Sequence, residues 1–108
     1  MTSQFLQIMV TIDDRMQAEK LLKILLQDCL IACGQCLPQM TSYYRWQDEI
    51  RADNEYLLLL KTQKHHYQAV ERQIKKHHPY DEPEIIAVDI VAGSEDYLTW
   101  IKNETSRN

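Results

Sequence analysis

The segment from Ala32 to Trp46 reads as one strand interrupted at Pro38, and it is too long for the domain that must hold it. Fully extended, it would span about 50 Å at ~3.3 Å per residue. A compact domain built from 108 residues has a radius of gyration of only ~13 Å, a diameter of roughly 35 Å. Pro38 cannot donate to a sheet ladder, so an edge, a bend or a bulge is expected there. The segment must therefore bend, or project and pack on something else. Its far end, Thr41-Ser42-Tyr43-Tyr44-Arg45-Trp46, is rich in residues that favour strands. Gln47-Asp48-Glu49 reads as a turn, and a third strand begins at Ile50, with an irregularity expected at Asp53-Asn54. A projecting aromatic hairpin is an exposed edge, and such edges pair with other chains. We therefore expect a closed homo-oligomer.

The remaining chain supplies the other elements. Residues 4–12 alternate, with Leu6, Ile8, Val10 and Ile12 on one face, which predicts a strand. Asp13 and Asp14 suit a helix N-terminus. Ala18, Leu21, Leu22, Leu25 and Cys29 then recur at helical spacing, predicting a helix from Arg15 to Leu30. Tyr56-Leu57-Leu58-Leu59-Leu60 is apolar on both faces, the mark of a central strand covered on both sides. A second helix is expected from Thr62 to His78, with Tyr67, Val70, Ile74 and either His77 or His78 inward. A fourth strand follows from Ile85 to Ala92. Gly93-Ser94 then starts a short last helix, with Tyr97, Leu98 and Ile101 inward. Two βαβ halves joined by a hairpin predict an α+β ferredoxin-like sandwich, βαββαβ plus a C-terminal helix, as one domain over residues 1–108.

The net charge of −4 and the lack of a basic-aromatic signature argue against nucleic acid, despite the aromatic strand. The acidic, glycine-free Thr11-Ile12-Asp13-Asp14 argues against an anion-cradling loop of the acylphosphatase type. No apolar run is long enough to span a membrane. Met1-Thr2-Ser3-Gln4 lacks the pattern of a signal peptide, and Cys29, Cys33 and Cys36 are odd in number. We expect reduced thiols in a cytoplasmic protein.

Chemistry concentrates between the second helix and the fourth strand, in His77-His78-Pro79-Tyr80-Asp81-Glu82-Pro83-Glu84. His77 and His78 are the metal candidates, since imidazole suits copper, zinc and nickel. They also close a helix whose negative end favours cationic groups. Neighbouring helical side chains point about 100° apart, a poor chelating geometry unless the helix frays. His65 and His66 are expected at the surface. Tyr44, Trp46, Glu55, Lys61, Tyr80 and Glu84 form a second constellation. An aromatic wall with one cation and two carboxylates suits a small polar ligand in a cleft between subunits. The same residues would also serve as an interface ion pair beside packed aromatics.

Five motifs carry a family resemblance: Ala32-Cys33-x-x-x-x-Pro38, Ser42-x-Tyr44-x-Trp46, Glu55-x-x-Leu58-x-x-Lys61-Thr62, His78-Pro79-Tyr80-x-x-Pro83-Glu84-Ile85, and Tyr97-Leu98-x-Trp100-Ile101. In their order and spacing the chain resembles the CutA family of divalent-cation tolerance proteins, from about Ile8 to Trp100. The resemblance implies a homotrimer similar in architecture to the PII signalling proteins. It also implies a response to metal ions, with Cu²⁺ or another divalent cation bound, no organic cofactor and no enzymatic reaction. The chain departs from the family pattern at Gln35, at Asp48 in the hairpin tip, and at Val10, where some relatives place a cysteine beside the His pair as a copper ligand.

Overall fold

Strand β1 (Phe5–Ile12) buries Leu6, Ile8, Val10 and Ile12, the face set by its alternation. The computed structural model describes residues 4–106. Residues 1–3, read above for a targeting signal, lie outside them, as do residues 107–108. Asp14 caps helix α1 (Arg15–Gln27), its carboxylate accepting the Gln17 N–H at 3.1 Å. The helix stops short of the expected Leu30. Cys29 turns into the left-handed region at φ 56°, the Leu30 N–H reaches Leu25 O at 3.0 Å, and the Cys29 N–H reaches Leu26 O at 3.1 Å. That is a Schellman closure with cysteine where glycine is usual.

The overlong segment divides as its proline requires, into β2 (Cys33–Cys36) and β3 (Met40–Trp46). Gln47 and Asp48, at φ 51° and 65°, make the two-residue turn into β4 (Glu49–Gln63). Positive φ at both positions suits the twist of a tight hairpin, and Asp48 tolerates it in place of glycine. No irregularity falls at Asp53-Asn54, because Ser42↔Asp53 and Thr41↔Asn54 pair in unbroken register. Nor does a helix begin at Thr62. Leu6↔Thr62 and Phe5↔Gln63 hold that stretch extended on β1, and the Thr62 hydroxyl donates to Leu30 O at 2.6 Å. A 3₁₀ turn, Lys64–His66, then leads into α2 (Tyr67–His77). Strand β5 (Ile85–Asp89) is shorter than the expected Ile85–Ala92; it pairs with β1 from Leu6↔Asp89 to Val10↔Ile85, and the Ile90 N–H donates to Phe5 O at 3.0 Å. Ser94 caps α3 (Glu95–Glu104) by accepting from Tyr97 N–H at 3.2 Å. Ile101 faces inward, but Tyr97 does not: it is 41% exposed and stacks on Trp100.

The sheet runs β2-β4-β1-β5, every pairing antiparallel, with β3 extending from β4 as a hairpin arm. This is the ferredoxin-like order. Helices α1 and α2 contribute Leu21, Leu25, Val70 and Ile74 to a core closed by Ile8, Val10, Leu58 and Leu60. Only that face of the Tyr56–Leu60 run is covered within one chain. On the other face Leu57 and Leu59 are half-buried, and Ile86 and Val88 are 49% and 46% exposed. The arm projects, which gives the molecule a longest extent of 44 Å.

His66 is buried, against the expectation of a surface pair. Its Nε2–H donates to Thr105 O at 2.6 Å, while the Gln63 amide donates to the Thr105 hydroxyl at 2.8 Å. Together they fasten the end of α3. No helix among the described residues is long and apolar enough to cross a membrane.

Candidate functional site

Pro79 ends α2 by pushing His78 to extended backbone, φ −84° and ψ 139°. The His78 side chain, 8% exposed, then turns into the fold. Its Nε2 lies 2.7 Å from the Thr11 carbonyl and its Nδ1 lies 3.1 Å from the Tyr80 N–H. A carbonyl only accepts and an amide N–H only donates, so Nε2 carries the proton and Nδ1 the lone pair. Both nitrogens are engaged, and metal binding at either would break one of these bonds. His77, the last residue of α2, stays exposed. The adjacent imidazoles therefore divide, one holding the fold and one facing solvent.

Held by His78, Tyr80 packs edge-on against the imidazole at 4.6 Å between ring centroids and donates its hydroxyl to Glu55 Oε2 at 2.8 Å. Burial pushes the Tyr80 phenol well above its ordinary range, and the Glu55 hydrogen bond and charge add to the effect, followed by the charges of Asp13 and Asp53. On the arm, Tyr44 donates to Asp53, and that hydrogen bond is the first cause of a raised Tyr44 phenol.

Between the arm and residues 80–84 lies a groove of about 680 Å³. Tyr44, Trp46, Glu55, Tyr80 and Glu84, five of the six residues grouped from sequence, line it. Lys61 does not. It shares a strand face with Glu55 but lies six residues further along β4, about 20 Å away, where it donates to the Gln35 side-chain oxygen. Asp81 and Glu82, from the polar connector singled out above, also line the groove, as do Asp13 and Asp53, which sequence reasoning missed. Asp53 was within reach of a period-two argument, being two residues before Glu55 on the same strand face. Six carboxylates thus surround the space, with Arg51 the cation among its lining residues.

Among the described residues, no three His, Cys, Asp or Glu side chains draw together as a metal cage requires. Val10 is fully buried in the core and brings no ligand. Cys33 and Cys36 lie on β2, paired to Lys61 and Leu58. A thiolate–imidazole copper site does not fit the residues of one chain.

Residues 6–104 match the family model described as CutA1 divalent ion tolerance protein. The divalent-cation tolerance protein CutA of Thermus thermophilus is 38% identical over 98 residues, covering 91% of this chain and 95% of the relative. Its counterpart from Pyrococcus horikoshii is 38% identical over 100 residues, covering 93% and 97%. Among solved structures, CutA from Xylella fastidiosa superposes with a TM-score of 0.92 at 40% identity, covering 95% and 99% of the two chains. CutA1 from a psychrotrophic Shewanella superposes at 0.95 with 31% identity, covering 98% and 99%. With fold, motif order and sequence agreeing over nearly its whole length, the chain belongs to the CutA1 divalent ion tolerance family.

Proposed function

We propose that this chain works as a homotrimer in the response to divalent cations, drawing the ion into the acidic groove between its hairpin arm and residues 80–84. The observation that carries the reading is the groove's lining of six carboxylates against one guanidinium. Such a surface concentrates cations by its field before any ligand bond forms. Because the carboxylates surround the space without converging, the ion is held weakly and keeps part of its water. Oxygen donors select less on softness than thiolates do, so the reading covers Cu²⁺ and other divalent cations alike. The uncovered apolar sheet face and the projecting arm support the trimer. Half-buried, unpaired Cys29, Cys33 and Cys36 support a reducing, cytoplasmic setting. The reading assigns no reaction and no organic cofactor.

The test is isothermal titration of Cu²⁺ and Zn²⁺ into metal-free protein, with mass measured on the same sample. The expected result is binding by the trimer that weakens about tenfold or more in Glu55→Gln/Glu84→Gln, since buried or focused carboxylates carry the attraction, and that persists in His77→Ala. Loss of binding in His77→Ala alone would overturn the reading.

The aromatic side chains support a second reading, a PII-like signalling module. Tyr44, Trp46 and Tyr80 stand among the carboxylates, an arrangement that suits a small organic cation over ring faces. A trimer that ignores metal ions would favour it.

A further inference from the structure

Charge in this chain is divided by layer. Helices α1 and α2 together carry six Lys and Arg against two Glu, a balance of +4, while the whole chain stands at −4, so everything outside them stands at −8. The helical period decides where those cations point. Ala18, Leu21 and Leu25 are the buried positions of α1, and Lys20 and Lys23 fall on the other side of the helix. In α2, Val70 and Ile74 are buried, and Arg72, Lys75 and Lys76 turn away from them. All five cations are exposed. Glu19 and Glu71 each sit one position before a cation, turned about 100° from it towards the helix flank. Glu71 pairs with Lys75 at 3.8 Å, and among the described residues no carboxylate pairs with Lys20, Lys23, Arg72 or Lys76. Both helices pack on the same core, so the two rows of cations face solvent side by side. A groove of about 360 Å³ runs along the α1 row, lined by Met16, Glu19, Lys20, Lys23, Ile24 and Gln27. Met16 is 80% exposed and Ile24 half-buried, so apolar surface stands among the lysines.

We propose that this outer face of α1 and α2 docks an acidic peptide segment of a partner protein, its carboxylates on Lys20, Lys23, Arg72 and Lys76 and an apolar side chain between them on Met16 and Ile24. The division of charge selects that occupant. Fields between exposed charges are screened within ~8 Å at physiological salt. A short peptide confined to the helices meets only their cations. A bilayer or a nucleic-acid duplex lying across them runs past their ends, onto Asp13, Asp14 and Asp28 around α1 and onto Asp81 and Glu82 beyond α2. Those carboxylates repel an extended polyanion and leave a short one alone. The bare apolar patch of Ile86 and Val88 lies on the other side of the sheet, so the trimer proposed above leaves the helical face open.

The test is fluorescence anisotropy of a short labelled peptide, glutamates around one central leucine, titrated with the full-length protein at low salt and at about 0.15 M salt. The expected result is binding that weakens as salt rises and falls about tenfold or more in Lys20→Glu/Lys23→Glu, where like charges then oppose. Arg72→Glu/Lys76→Glu, a separate exposed pair, should do the same. Arg45→Glu, which changes net charge on the arm and not on the helices, should leave binding within about twofold, because the change is screened. Circular dichroism is read on each variant to hold the fold constant. Absence of binding at low salt would overturn the proposal, as would full binding in either helix variant. A loss in Arg45→Glu as large as in the helix variants would also overturn it, by marking a response to net charge alone. So would tighter capture by phosphatidylserine vesicles or by a DNA duplex than by the peptide, lost in Lys20→Glu/Lys23→Glu, since the face would then belong to a lipid surface or to nucleic acid.

Discussion

The Tyr80 hydroxyl donates to Glu55 Oε2 while the backbone N–H of the same residue is taken by His78. Its phenol is held above the ordinary value of 10.0, first by burial and then by Glu55. A folded value raised above the unfolded one contributes stability that is whole below about pH 10 and is lost as pH rises beyond it. Tyr80→Phe should remove the last-ionising component of the alkaline phenolate absorbance. It should also cost about 1–3 kcal/mol at neutral pH by leaving Glu55 without its donor, read by urea unfolding. Five groove residues were legible because strand periodicity and turn composition place them on one side. That one of His77 and His78 turns inward followed from helical spacing; which one did not. It depends on two backbone groups, Thr11 O and Tyr80 N–H, whose positions only tertiary structure sets. Within one chain Lys61 stands apart from the other five, because six residues of β4 separate it from Glu55 on the same strand face.

At the level of elements, β2 lies so close to α1 that Gly34 has no room for a side chain. A Cβ there would sit 2.4 Å from Leu22 Cδ2 and 3.3 Å from Ile31 Cδ1. Gly34→Ala should destabilise by about 1–3 kcal/mol in urea unfolding, as overpacking does. Adding Leu22→Ala should make the pair cost less than the sum of the two changes, because the atom in conflict is gone. The element order was readable from period-two and helical patterns alone. Apart from the end of α1, closed locally at Cys29, the expectations that failed along β4 share one cause. Thr62 and Gln63 are locally indifferent and are claimed by β1, and Asp53-Asn54 by the partner strand. Long-range pairing outweighed local propensity each time.

For the molecule as a whole, the sheet face opposite the helices is the unfinished part. Ile86 and Val88 leave about half their surfaces open beside half-buried Leu57 and Leu59, a patch of the kind that marks association. In the trimer proposed above, Ile86→Glu/Val88→Glu should lower the sedimentation mass from three chains to one while leaving the far-ultraviolet circular dichroism of the folded chain in place. Strand β4 joins this unfinished face to the finished core, since Glu49–Gln63 is one unbroken element serving the arm at one end and the β1 ladder at the other. In a strand, a slip of one residue turns every side chain to the opposite face. A chain that mispairs in the core therefore displays a wrong arm, with Ile50 and Ala52 where Arg51 and Asp53 belong. In the proposed trimer, folding would thus proofread assembly: one register carries both messages, and an error in the first spoils the second before a neighbour can accept it.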